Sequence, residues 1–315
     1  RMPVFFLLSG FFAILVIERK GTSQFLRDRV IRVGLTCLVF SSLYDISDGS
    51  FDYTILHLWF LYELMIFALF FSLLYRLKII KDLLGIKMPP KIGFIVVLWL
   101  ISTVPLAYIL NNSWHPSALK VPTTYFDLKI GNLFYHFSYF LVGVILYSNQ
   151  NIFMKIKKTK AILVLGVLSI SAFFLRLYSD HLTIGQVENL SEVAQTQFDP
   201  MLVFFNSVMI GINSTFWCLF FIGLASKFIQ SNSAVIRWLV ELSYPIYIIH
   251  IIPITMMSAV FYHAGLSQLT ILPLAVITGF FVCVILYYIF IKFTPLNWLI
   301  NGYSTSPLKI KFLGA

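Results

Sequence analysis

Residues 57–67 read HLWFLYELMIF, and the apolar run they belong to continues through residue 75. About twenty consecutive apolar residues carry an α-helix across roughly 30 Å of hydrocarbon. Segment 55–75 has that length, yet it holds a histidine and a glutamate. An ionisable side chain at bilayer depth costs about 2.5–3.5 kcal/mol on insertion scales, so such residues usually face a polar interior or a pathway. At 100° per residue, Glu63 shares a helical face with Trp59, Ile66 and Phe67, whereas His57 points about 120° away near the outer end. The spacing argues against a His57–Glu63 dyad. For His57, an interfacial imidazole bonded to headgroup or loop and a catalytic base both fit; Glu63 fits a pathway residue or the partner of an arginine on another helix.

The rest of the chain repeats this pattern. Of its 315 residues, 59% are hydrophobic, 17% aromatic and only 11% charged, against about half apolar and a quarter charged in soluble domains. The long apolar runs lack the alternation of a barrel strand, so helices do the spanning. The expected fold class is all-α, a polytopic transmembrane helix bundle forming one integral-membrane domain over residues 1–315. Nine membrane helices are expected at 2–17, 31–46, 55–75, 92–110, 131–148, 161–178, 201–225, 238–262 and 269–291.

The loops then set the orientation. Those following the first, third, fifth, seventh and ninth segments, with Arg32 at the head of the second, hold nineteen of the 23 basic residues, among them Arg19, Lys20, Lys78, Lys157, Lys227 and Lys292. Opposite them lie Asp52, Asp180, Glu188, Glu192 and Asp199 with few cations. The positive-inside rule makes the basic loops and the C-terminus cytoplasmic. The net charge of +10 is accounted for by these loops, which leaves nucleic acid out as a partner and the lipid bilayer in. The first segment then runs inward, and the chain opens on Arg1; both point to an N-terminally truncated domain, with ten helices when complete.

Two further stretches carry chemistry. In ELSYPIYIIHIIPI, 241–254, Ser243, Tyr247, His250 and Ile254 line one helical face between Pro245 and Pro253. Each proline frees the carbonyl four residues back, which a membrane tolerates only beside protein or water, so a bent helix lining a cavity is expected. A packed helix whose polar groups bond to neighbours accounts for the same residues. In FLRDRVIRVG, 25–34, Arg29 and Arg32 stand at i, i+3 with Arg27 adjacent. Guanidinium forks suit phosphate, and snorkelling cations fit the same place. Cys37, Cys218 and Cys283 sit in apolar segments without metal-ligand spacing and read as small core residues, so no metal site is expected. There is no GxSxG elbow, HExxH helix, phosphate loop or dinucleotide fingerprint.

Taken in order, these motifs resemble membrane acyltransferase family 3. MPVFFLLSGFF resembles that family's second helix, and FLRDRVIRVG its following arginine segment, except that Gly34 stands where the family has proline. HLWFLYELMIF resembles the HLWFL segment, most closely in the branch of glucan biosynthesis protein C, while HFSYFLVGVILY and LSYPIYIIH resemble later helices. The resemblance implies transfer of an acetyl or succinyl group from cytoplasmic acyl-CoA, through a ten-helix bundle, to a hydroxyl of an extracytoplasmic glycan. Acyl-CoA is then a donor substrate, the carbohydrate is the acceptor, and no tightly bound cofactor is implied. It assigns Arg29 and Arg32, with Arg27 beside them, to acyl-CoA binding. It also places the family's principal histidine in a first helix, which the expected N-terminal truncation would leave out of this sequence.

Such a transfer needs a general base for the hydroxyl and donors for the tetrahedral oxyanion. The candidate catalytic residues here are His57, Glu63, His250 and Tyr247. A polytopic transporter of a small molecule or glycan, without covalent chemistry, also accounts for intramembrane polar groups, a kinked helix and a basic face. The ordered motifs favour the acyltransferase, with the inner membrane of a bacterium as its location.

Overall fold

The computed structural model describes residues 2–49, 52–80, 90–112, 115, 121–184, 198–229, 233–302 and 307. Lys81, Lys87, Lys309 and Lys311 of the basic loops, and Glu188 and Glu192 opposite, lie outside them. In chain order the helices are α1 Met2–Lys20, α2 Thr22–Arg29, α3 Thr36–Asp48, α4 Trp59–Arg76, α5 Pro90–Leu110, α6 Ile130–Ser148, α7 Gln150–Ile156, α8 Thr159–Ile184, α9 Pro200–Phe228, α10 Ala234–Ile249, α11 Ile251–His263, α12 Gln268–Leu286 and α13 Leu296–Ile300. Among the described residues there is no strand, as hydrocarbon requires of a backbone that cannot bond to water. This is an all-α polytopic integral membrane protein.

The count of nine spans is not reproduced. Among the described residues, seven helices are long and apolar enough to cross a membrane, and α10 with α11 makes an eighth, bent by 71°. Segment 31–46 is the difference. It is helical, but a π-helical stretch, Val30–Leu35, separates α2 from α3. With the six residues of that stretch, the 13 of α3 make a continuous helical run of nineteen that carries Arg32 and Asp45, and it is not among the candidate spans. Hydrophobic periodicity registers the apolar run; it does not register an inserted π turn.

The bend is better anticipated. Pro245 sits inside α10 without breaking it, and the break comes at His250, between Ile249 and Ile251. Pro253, two residues into the next helix, has no N–H for the carbonyl of Ile249, so the ladder loses a rung there.

By compactness the chain divides into two units, Arg1–Leu26 with Glu63–Gln230, and Arg27–Tyr62 with Ser231–Ala315. In the first, α1 packs on α6, α6 on α5, α5 on α9 and α9 on α8. Between α1 and α6 the backbones touch: a Cβ on Gly143 would lie 1.9 Å from the Leu7 carbonyl oxygen, and one on Gly10 the same distance from that of Phe140. Stacked and tilted rings of Phe67, Phe137 and Phe140 join α4 to α6. Outward faces carry Leu163, Val167 and Phe174 of α8, apolar as a lipid-facing surface must be. In the second unit, α11 and α10 pack on α12, and α13 packs on the π-helical stretch Val30–Leu35 and on a second one, Tyr287–Ile291.

Candidate functional site

The second unit gathers three of the four candidate catalytic residues. His57 lies in the 3-10 turn Leu56–Leu58 that opens α4. The preceding loop is anchored by the Thr54 hydroxyl on the buried carboxylate of Asp45. Leu56 takes φ +40, a left-handed conformation that costs a branched residue about 1–3 kcal/mol and persists only where the surroundings impose it. Those surroundings are hydrogen bonds. The Nε2 of His57 lies 2.8 Å from the Ile248 carbonyl oxygen, just before the helix break, and the Tyr247 hydroxyl donates to the His57 carbonyl at 2.6 Å.

These bonds settle the state of the ring. A carbonyl only accepts, so Nε2 carries the proton and a neutral His57 presents Nδ1 as a bare acceptor. Among the described residues, that Nδ1 is buried and has no hydrogen-bond partner. A buried acceptor left unsatisfied costs about 1–3 kcal/mol, and a substrate hydroxyl is a group that would satisfy it. His250 stands edge-on to His57 with ring centroids 5.2 Å apart. Its own Nδ1 is committed to the Tyr247 carbonyl at 2.7 Å, which leaves its Nε2 as the acceptor nitrogen when neutral. Ser243, expected on the same face, bonds back to the Val240 carbonyl instead.

The arginine cluster belongs to the same unit. Arg29 ends α2 and Arg32 lies in the π-helical stretch. Such turns recur at functional positions in helices. Burial, and then the charge of Arg32, lower the pKa of Arg29 from its ordinary value. Arg32 donates from Nε and Nη2 to the Ile300 carbonyl at 3.3 and 3.2 Å, while the Tyr244 hydroxyl donates to the Arg32 carbonyl at 2.5 Å. The last turn of α13 is itself fastened, since Asn301 donates to Asn297 Oδ1 and to the Tyr287 hydroxyl, which donates to Glu241. Arg27 is exposed.

Glu63 falls in the first unit and is fully buried. Its partners are not an arginine. Asn132 donates to Oε1 at 2.7 Å, and Nδ1 of His136 lies 2.6 Å from Oε2, one proton held between carboxyl and imidazole. Phe6 of α1 stacks on that imidazole, with centroids 4.5 Å apart. Asn132 and His136 stand at i, i+4 on α6, which puts both on the face toward α4. That spacing inside the apolar segment 131–148 is the sequence signal for them.

The lock makes a stability prediction. Glu63→Leu leaves two buried donors without an acceptor at about 1–3 kcal/mol each, enough to lower the melting temperature in detergent by many degrees. Glu63→Gln keeps an acceptor for Asn132 and offers an N–H to the other imidazole tautomer, so its melting point stays much nearer the wild type. Equal melting of the two variants would contradict this account.

The comparisons agree with the ordered motifs. An acyltransferase-domain model, that of acyltransferase family 3, matches residues 1–288. The chain belongs to membrane acyltransferase family 3. The match runs through both compact units and takes in the arginine pair, the HLWFL stretch and the bent α10–α11 helix. No curated protein and no solved structure gives a significant match.

Proposed function

We propose that this family member moves an acetyl or succinyl group from cytoplasmic acyl-CoA to a hydroxyl of an extracytoplasmic glycan, across the inner membrane of a bacterium with its C-terminus in the cytoplasm. The observation that carries the reading is the bare, buried Nδ1 of His57. It is a proton acceptor held in one orientation, as a general base must be. Arg29 and Arg32 stand toward one end of the helical run formed by α2, the π-helical stretch and α3, and Tyr44, whose ring centroid lies 5.5 Å from that of His57, stands toward the other. Twelve residues separate Arg32 from Tyr44, about 18 Å at 1.5 Å per residue, a span that the pantetheine arm of a coenzyme A thioester covers. Phosphates at the arginines would deliver the thioester toward the histidine.

The chemistry follows from these positions. His57 Nδ1 takes the proton of the sugar hydroxyl as its oxygen attacks the thioester carbonyl carbon. The tetrahedral oxyanion collapses, the C–S bond breaks, and the imidazolium returns the proton to the departing thiolate. Tyr247 holds the His57 main chain, and His250 is the second imidazole beside it. Glu63 enters as the partner of His136, holding a proton within the first unit, rather than as a group that meets substrate.

Inverted membrane vesicles given radiolabelled acyl-CoA and the glycan test this directly. Mass spectrometry should find the glycan acylated, and Arg29→Ala or Arg32→Ala should raise KM for acyl-CoA tenfold or more, the equivalent of one charge-assisted hydrogen bond of ~1.5–3 kcal/mol. A transporter moves its solute unmodified. Recovery of unmodified glycan across the membrane, with no acyl transfer, would reject the enzyme reading of these residues.

A further inference from the structure

We infer that Tyr44 is a positioning residue for His57, acting through the main-chain oxygen of Ile248. The inference rests on the reading of His57 as the base and adds a residue to it. Tyr44 lies on α3, 8% exposed, and its hydroxyl donates to the Ile248 carbonyl at 2.9 Å. The Nε2–H of His57 donates to that same oxygen at 2.8 Å. A carbonyl oxygen has two lone pairs, and here both have a side-chain donor.

The location gives the arrangement its purpose. Ile248 is the residue before the last of α10, and the chain turns by 71° into α11 immediately after. A carbonyl at a helix break is less constrained by the i→i−4 ladder than one in mid-helix, and a second donor fixes its direction. The ring of Tyr44 also stands edge-on to the imidazole, with centroids 5.5 Å apart and planes 72° apart. Tyr44 therefore aims the carbonyl, the carbonyl holds the proton on Nε2, and the buried lone pair at Nδ1 is left without a hydrogen-bond partner among the described residues. This is the logic by which a second group fixes the tautomer of a working histidine.

The hydroxyl, not the ring, carries the role, so Tyr44→Phe is the informative variant. In purified full-length protein, kcat should fall about tenfold while KM for acyl-CoA and for the glycan stays within about twofold. Tyr44→Leu should be no better than Tyr44→Phe, whereas a packing role predicts that the phenylalanine restores activity. Combined with His57→Gln, Tyr44→Phe should lower the residual rate no further, because both act on one step. Ring 15N shifts of His57 in the wild-type protein should report the Nε2–H tautomer. Wild-type kcat in Tyr44→Phe beside an inactive His57→Gln would overturn this inference alone, as would an Nδ1–H tautomer in the wild type. Full activity of His57→Gln would overturn the reading beneath it, and the inference with it.

Discussion

Gly143→Ala and Gly10→Ala should each prevent α1 from seating on α6, with loss of folded protein in detergent as the readout. The added methyl at Gly143 would meet the Leu7 oxygen at 1.9 Å, the Leu7 carbonyl carbon at 2.8 Å and the Phe11 nitrogen at 2.9 Å. All three are backbone atoms, so no rotamer change relieves the overlap and the helices must separate. Alanine gains up to about 1 kcal/mol of helix propensity over glycine, whereas overpacking costs about 1–3 kcal/mol and more where the backbone itself is struck. The clash wins. Helix association inside a membrane depends on close backbone approach at small residues, since lipid supplies no hydrophobic drive between helices. Separation here would also lift Phe6 from the His136 ring and loosen the Glu63 lock. Gly93→Ala is the control: nothing lies within 4 Å of its added carbon, and it should express and melt as the wild type or slightly above. Size-exclusion profiles of the three variants in one detergent decide the matter, and a monodisperse Gly143→Ala with wild-type melting would refute the packing argument.

The helical class and most of the spans were legible because hydrocarbon length and apolar runs are properties of the chain itself. The π-helical start of 31–46 was not, because a π turn changes hydrogen-bond register without changing hydrophobic pattern. The same division applies to the site. Helical angles separated His57 from Glu63, and the structure places them in different compact units. The partners of each came from residues far along the chain: Ile248 and Tyr247 for His57, Asn132 and His136 for Glu63. One of them is a main-chain carbonyl, which no side-chain pattern marks. Sequence spacing identifies faces of one helix; it does not say which face of which other helix will meet them. Tyr44 carries no signal of its own for this reason, being one phenol among 16 tyrosines; only the fold sets its hydroxyl on the oxygen that holds His57.

His57→Gln should abolish most acyl transfer while leaving the protein folded and abundant. Glutamine places an amide N–H close to where Nε2 lies, so the bond to the Ile248 carbonyl survives, but it has no atom where Nδ1 was and so supplies no base there. The loss of a general base costs about 10²–10⁴-fold, and kcat should bear it, with KM for acyl-CoA little changed because the proposed donor site at the arginines is elsewhere on the unit. His57→Ala removes the anchor as well as the base and should cost at least as much, with lower abundance, because Ile248 then keeps only the donor from Tyr44. His250→Gln should be milder than either. Its Nδ1 is spent on the Tyr247 carbonyl, and glutamine lacks that bond but leaves the His57 base in place. Glycan acylation measured by mass spectrometry, normalised to the amount of protein in the membrane, ranks the three. An order in which His250→Gln is the inactive variant would transfer the role of base to the Nε2 of His250, whereas equal activity of all three would remove this imidazole pair from the chemistry and leave it as the brace that holds the Leu56–Leu58 turn to the broken helix.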